Sequence, residues 1–188
     1  MSVKVITGKD TRWSYVNVLE PKSINGSDPK YSISLIIPKS DTATLDQIRA
    51  AIKQAYEEGA SKLKGSGKSI PPLDAIRIPL RDGDKEHPND EAYQNSYFMN
   101  ANARERPGIV DAALHKIIDP DEVYSGCYGR AAVSFYAYNA SGNRGIACGL
   151  NNLQKIRDGE RLGGKASAES DFGQFADTSA TTEDDFMA

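Results

Sequence analysis

The stretch that most constrains how this chain can fold is Tyr124-Ser125-Gly126-Cys127-Tyr128-Gly129-Arg130-Ala131-Ala132-Val133-Ser134-Phe135-Tyr136-Ala137-Tyr138-Asn139. From Gly129 onward the side chains alternate. Ala131, Val133, Phe135 and Ala137 fall on one face, and Arg130, Ala132, Ser134, Tyr136 and Tyr138 on the other. An apolar row opposite a row with one cation and two phenols describes a half-buried strand. Rings on an open sheet face can stack on nucleic-acid bases, and a neighbouring cation can meet phosphates. The same tyrosines would equally suit plain coverage of a sheet, where aromatics are favoured.

Other segments supply partners for such a strand. Ser141 to Gly145 reads as a hairpin loop, and Ile146 to Ile156 as the returning strand. Gly145 and Gly149 suggest close backbone approach or a bend. Lys30 to Ile37 places Tyr31, Ile33, Leu35 and Ile37 on one face, and Pro38 ends it. Lys4 to Ile6 and Arg12 to Leu19 are extended pieces broken at Gly8. Within the second, either Val16 and Val18 are core and Trp13 and Tyr15 face outward beside Arg12, or the reverse. Asp41 or Thr42 caps one helix, with Leu45, Ile48, Ile52, Ala55 and Tyr56 as an apolar stripe and Gly59 as a stop. The expectation is a mainly β protein, an antiparallel barrel with one packed α-helix.

Charge is distributed unevenly. The 188 residues net −3, yet residues 1–165 carry every Lys and Arg and net +3, whereas residues 166–188 carry six acids and no base. A mildly basic body with an acidic tail suits nucleic-acid contact plus an interaction tail. The tail has few apolar positions and is expected to be disordered, which sets the domains at 1–165 and 166–188. Its end, Glu183-Asp184-Asp185-Phe186, is a carboxylate run leading to an aromatic residue. Asp184, Asp185 and Phe186 could dock on a partner protein or compete with nucleic acid for the body; a merely solubilising tail would look the same. No apolar run approaches a membrane span and no apolar signal region opens the chain, so a cytoplasmic protein without membrane contact is expected. Cys127 and Cys148 are read as small buried residues, without a disulfide or zinc.

Two motifs suggest enzymes and fail on inspection. Gly67-Lys68-Ser69 lacks the upstream glycine of a phosphate-binding loop, since position 62 is Lys62, and a helix rather than a strand precedes it. It reads as a basic loop able to brush a phosphate backbone, or simply a linker. Asp82, Asp84, Glu86 and His87 could be imagined as a metal-dependent nuclease, but they crowd one polar loop instead of converging from several elements. No cofactor is expected. A third alternative is a structural or assembly protein that self-associates through tyrosine-rich sheet edges.

Pro79-Leu80-Arg81-Asp82-Gly83-Asp84, then Tyr124-Ser125-Gly126, then Gly145-Ile146 with Gly149-Leu150, and an acidic tail ending near a Phe, together resemble a phage-type single-stranded DNA-binding protein family. The resemblance implies an OB-type barrel and a non-enzymatic role in coating single strands during phage DNA replication and recombination. It further implies a tail that meets replication or recombination proteins; a homo-oligomer is a further expectation. Here Phe186 is followed by Met187 and Ala188, which departs from a terminal Phe. Bottom-up, the base-stacking candidates are Trp13, Tyr15, Tyr136 and Tyr138, with Tyr93 and Tyr97 behind them. The phosphate candidates are Arg12, Arg77, Arg81, Arg104, Arg106, Arg130 and Lys155.

Overall fold

The computed structural model describes residues 2–23, 25–163 and 171–176. In chain order the strands are β1 (Val3–Ile6), β2 (Arg12–Lys22), β3 (Lys30–Pro38), β4 (Arg81–Asp82), β5 (Ser96–Ala103), β6 (Gly108–Val110), β7 (Tyr128–Ala140) and β8 (Asn143–Arg157). The helices are α1 (Thr42–Glu58), α2 (Ala60–Lys64) and α3 (Gly83–Glu86).

A tight turn joins β7 and β8: Ala140 pairs Asn143, and between them Ser141 and Gly142 hold φ of 52° and 86°. Positive φ at both central residues matches the twist of the flanking strands, so this pair can run as a long hairpin. A longer loop joins β2 and β3, from Lys22 to its partner Lys30, with Asn25 and Gly26 at φ of 51° and 75°. β3 then pairs β5 from Tyr31↔Ala103 to Pro38↔Ser96. β5 meets β8 in parallel at Asn102↔Gly149, and β7 returns to β2 at Arg12↔Tyr128. The ring β2–β3–β5–β8–β7 therefore closes on itself, which is a five-stranded OB-type barrel. β1 adds to β7, β6 to β8 and β4 to β5.

The barrel interior follows the strand alternation. Ala131, Val133, Phe135 and Ala137 are buried, as are Ile33, Leu35 and Ile37 opposite them. α1 packs against β1 and β7 through Leu45, Ile48, Ala51, Ile52 and Ala55. Each large apolar side chain removed from water there contributes about 1.5–3 kcal/mol. Asp41 caps α1 by accepting from the Thr44 backbone N–H at 3.2 Å and the Thr44 hydroxyl at 2.7 Å. Gly59 ends α1, although five helical residues follow as α2. Both cysteines are free and buried, and burial pushes both thiols up. Among the described residues no helix is long and apolar enough to cross a membrane.

β2 departs from both faces offered by its alternation. Trp13 is fully buried, Val18 is fully buried, and Tyr15 is exposed. The cause is a bulge: register against β3 slips between Ser14 and Asn17, and Tyr15 sits at φ 46°. One inserted residue changes the parity of everything after it. The Ser125 hydroxyl holds the bulge by accepting from the Val16 N–H at 3.1 Å.

Candidate nucleic-acid interface

On the outside of the barrel β5, β7 and β8 lie side by side. Along β5, Asn100 and Asn102 face outward between the buried Met99 and Ala101. Along β7, Tyr136 is 41% exposed and Tyr138 half-buried. With Lys30 at the start of β3 and the segment Arg77-Ile78-Pro79 and Arg81, these side chains line an open groove of about 410 Å³. The floor is β8 from Ile146 to Cys148. The Tyr136 ring lies over Gly149, where an added Cβ would come within 3.4 Å of its Cε1. Glycine there lets the ring lie close to the sheet, with a face available.

Backbone hydrogen bonds fix Arg77 in this groove. Its N–H donates to the Arg144 carbonyl at 3.2 Å, and its carbonyl accepts from Ile146 N–H at 2.8 Å. Segment 76–78 is thus laid on the edge of β8. Gly145 permits the approach, because a Cβ there would stand 2.5 Å from the Arg77 carbonyl oxygen. Arg81 is held differently. Its Nε donates to both Glu86 oxygens at 2.9 and 2.8 Å, and its guanidinium lies 5.1 Å from the Phe98 ring centroid. Its charge is therefore paired internally with Glu86, whereas Arg77 and Lys30 have no acid partner among the described residues.

The remaining candidates separate into several places. Trp13 is corrected: it is core, and its indole N–H donates to the Gly129 carbonyl at 3.2 Å. Tyr93 is corrected too, being 2% exposed and packed edge-on against Phe98 at 5.2 Å. Tyr97 points to the opposite side of β5 from Asn100, between the Lys39 ammonium at 5.1 Å and the Arg49 guanidinium at 5.2 Å. Arg104 and Arg106 are exposed beyond the end of β5. Arg12, Arg130 and Lys155 gather at the far end of the β7–β8 hairpin; eight residues at about 3.3 Å each put Arg130 about 26 Å from Tyr138. There Arg12 and Arg157 stack on Tyr128 at 5.2 and 4.1 Å, and Lys155 and Arg161 on Tyr124 at 5.4 and 4.4 Å. Arg130 donates to the Thr7 carbonyl at 3.3 Å. Tyr15 projects from the β2 bulge beside Ser125. Asp184, Asp185 and Phe186, with most of the acidic tail, lie outside the described residues.

The structure adds Lys30, Asn100 and Asn102 to the groove. The two amides stood in the sequence among the aromatics of their strand, where alternation with Met99 and Ala101 was the available signal. Nothing local marked Lys30, whose place follows from the register of β3 on β5.

The acids once weighed as a metal site are otherwise engaged. Lys39 Nζ lies 3.0 Å from Asp82 and 2.7 Å from Asp84, and these hydrogen bonds hold both carboxyls below the ordinary range and push the Lys39 ammonium up. Glu86 pairs with Arg81, and His87 packs on Tyr93 at 4.3 Å. Among the described residues no group of three acid, His or Cys side chains could hold a metal ion.

A closed OB-type barrel whose outer face joins phenol rings, amides and unpaired cations in one open groove defines an oligonucleotide-binding class of protein. The chain belongs to the family described as Enterobacter phage Enc34, ssDNA-binding protein, whose model matches residues 3–187. Protein p50 of Acyrthosiphon pisum secondary endosymbiont phage 1 is 32% identical over 190 residues, covering 95% of this chain and 96% of that protein. The fold is similar to that of the single-stranded DNA-binding protein from bacteriophage Enc34 in complex with ssDNA, at TM-score 0.72 and 22% identity over 86% of this chain and 89% of that one. It is also similar to gp2.5, a single-stranded DNA-binding protein encoded by bacteriophage T7, at TM-score 0.59 and 14% identity over 95% and 97% of the two chains.

Proposed function

We propose that this protein binds single-stranded DNA, without sequence preference and without catalysis, along the groove between β5, β7, β8 and segment 77–81. The observation that carries the reading is the convergence of Tyr136, Tyr138, Asn100, Asn102, Lys30 and Arg77 on one open face. Rings stack on any base, amides reach base edges or sugars, and cations meet phosphates. The membership of the family and the fold likeness to a phage protein in complex with ssDNA support it. The expected setting is phage DNA replication and recombination in the host cytoplasm. A salt-titrated gel shift with single-stranded DNA, duplex DNA and RNA tests the reading. Binding should favour single-stranded DNA and weaken steeply with salt, by a slope of about 0.7 per phosphate contact. Equal binding to duplex would overturn it.

In this reading residues 1–165 are the DNA-binding body and residues 166–188 an acidic tail that docks on replication or recombination proteins or competes with DNA. Six acids without a base, ending in Asp184-Asp185-Phe186, are its support. Removing residues 166–188 should raise affinity for an oligonucleotide at low salt, where screening is weakest. An unchanged affinity there would remove the competing tail from the account.

A further inference from the structure

The loop that failed as a nucleotide-binding motif is positioned to extend the groove. Tyr138 ends the groove, and the next residue, Asn139, donates from Nδ2 to the Lys62 carbonyl at 3.1 Å, which ties α2 to the hairpin. Gly65, at φ 54°, turns the chain out of α2; a Cβ there would stand 2.7 Å from the Asn139 amide nitrogen. The Arg144 guanidinium lies against this turn, with Nη2 and Nη1 each 3.9 Å from where Cβ atoms on Gly65 and Gly67 would be. Its Nε is buried and has no hydrogen-bond partner. The Tyr56 hydroxyl anchors the far side of the loop by donating to the Pro71 carbonyl at 2.7 Å.

Charge along this path is nearly of one sign. Lys64 and Lys68 are exposed, and neither has an ion-pair partner among the described residues. Arg144 and Arg77 share an open cleft with Asp74, its single acid. The loop does not act as a phosphate-binding loop through its backbone, because the Gly65 and Gly67 N–H groups already donate to the Ser61 and Lys64 carbonyls. The cationic side chains that flank these glycines are Lys64, Lys68 and Arg144.

We propose that Lys64, Lys68 and Arg144 form a second phosphate-binding station at the hairpin tip, which takes the backbone of the same single strand as it leaves the groove past Tyr138. This rests on the DNA-binding reading above and adds to it a direction of travel and a longer footprint. A strand that occupies only the groove does not reach the station; a longer one does.

The test uses the full chain and oligo-dT of two lengths, about 4 and about 16 nucleotides, the range spanned by single OB folds. The Lys64→Ala/Lys68→Ala double variant removes only exposed side chains. It should lower the salt slope for the long oligonucleotide by about 1.4, which is up to about 25-fold in affinity at 0.1 M salt, and leave the short one within twofold. Asp74→Asn should tighten the long oligonucleotide. Tyr136→Ala, run alongside, should weaken both lengths. A double variant that keeps the wild-type slope on the long strand, or that loses equally on both lengths, overturns the station while Tyr136→Ala still reports on the groove. Tyr136→Ala without effect on either length overturns the groove reading itself.

Discussion

Replacing Gly145 by alanine should release Arg77 from the groove while leaving the barrel intact. The new methyl would stand 2.5 Å from the Arg77 carbonyl oxygen and 2.9 Å from the Tyr138 hydroxyl. A backbone oxygen cannot rotate away as a side chain can, so segment 76–78 must lift. Lifting breaks Arg77 N–H to Arg144 carbonyl and Ile146 N–H to Arg77 carbonyl. Two net backbone hydrogen bonds are worth about 1–3 kcal/mol together. The barrel's own ladders do not pass through these bonds, so the loss is local. Amide hydrogen exchange should show the Ile146 N–H losing about 5- to 150-fold of its protection, with the β7 amides opposite β1 unchanged. Oligo-dT affinity should fall by up to about 5-fold at 0.1 M salt through the Arg77 phosphate contact alone. An Ile146 amide as protected as in the wild type, together with undiminished DNA affinity, would refute the reasoning that this glycine exists to let Arg77 in.

Further outcomes follow from the same geometry. Tyr136→Ala should cost about 1–3 kcal/mol of binding, or about 5- to 150-fold in Kd by fluorescence anisotropy. Trp13 emission should be insensitive to oligo-dT, since the indole is sealed in the core; Trp13→Ala should destabilise the fold by about 3–5 kcal/mol in denaturant titration. The Lys39 clamp predicts a pH profile. Asp82 and Asp84 are held below their ordinary 3.8, so their contribution is complete above that value and disappears as pH falls below it. Lys39 is raised above its ordinary 10.5, so the same clamp fails again as pH climbs beyond it. Lys39→Ala should flatten both limbs of Tm against pH; limbs that persist in the variant would place the effect elsewhere.

Much of the scaffold was legible in the residue pattern. The inward row Ala131, Val133, Phe135 and Ala137 and the apolar stripe of α1 are local periodicities, and both are met in the structure; of the two residues offered as its cap, Asp41 and Thr42, the structure uses Asp41. The motifs behind the family resemblance are legible for a different reason: they mostly mark structural constraints. Gly83 would place a Cβ 2.5 Å from the Tyr93 carbonyl, Gly126 holds φ 123° against the Glu160 carbonyl, and Gly145 admits Arg77. They report how the barrel closes, and only indirectly what lies on it.

The sequence by itself determined the β class, the barrel-lining residues, the basic body with its acidic tail, and the outward placement of Tyr136 and Tyr138. Tertiary structure decided which aromatics stay outside. Trp13 and Val18 could both go in because the bulge at Tyr15 shifts parity between them, and Tyr93 went in because it closes over Phe98 and Ile36. It also decided that Lys30, Arg77 and Asn100, which stand 108, 61 and 38 residues before Tyr138, share one groove with it. Alternation specifies a side chain's face relative to its own strand; which faces meet water depends on register and on what the connecting segments cover, and both are set by contacts between residues distant in the chain.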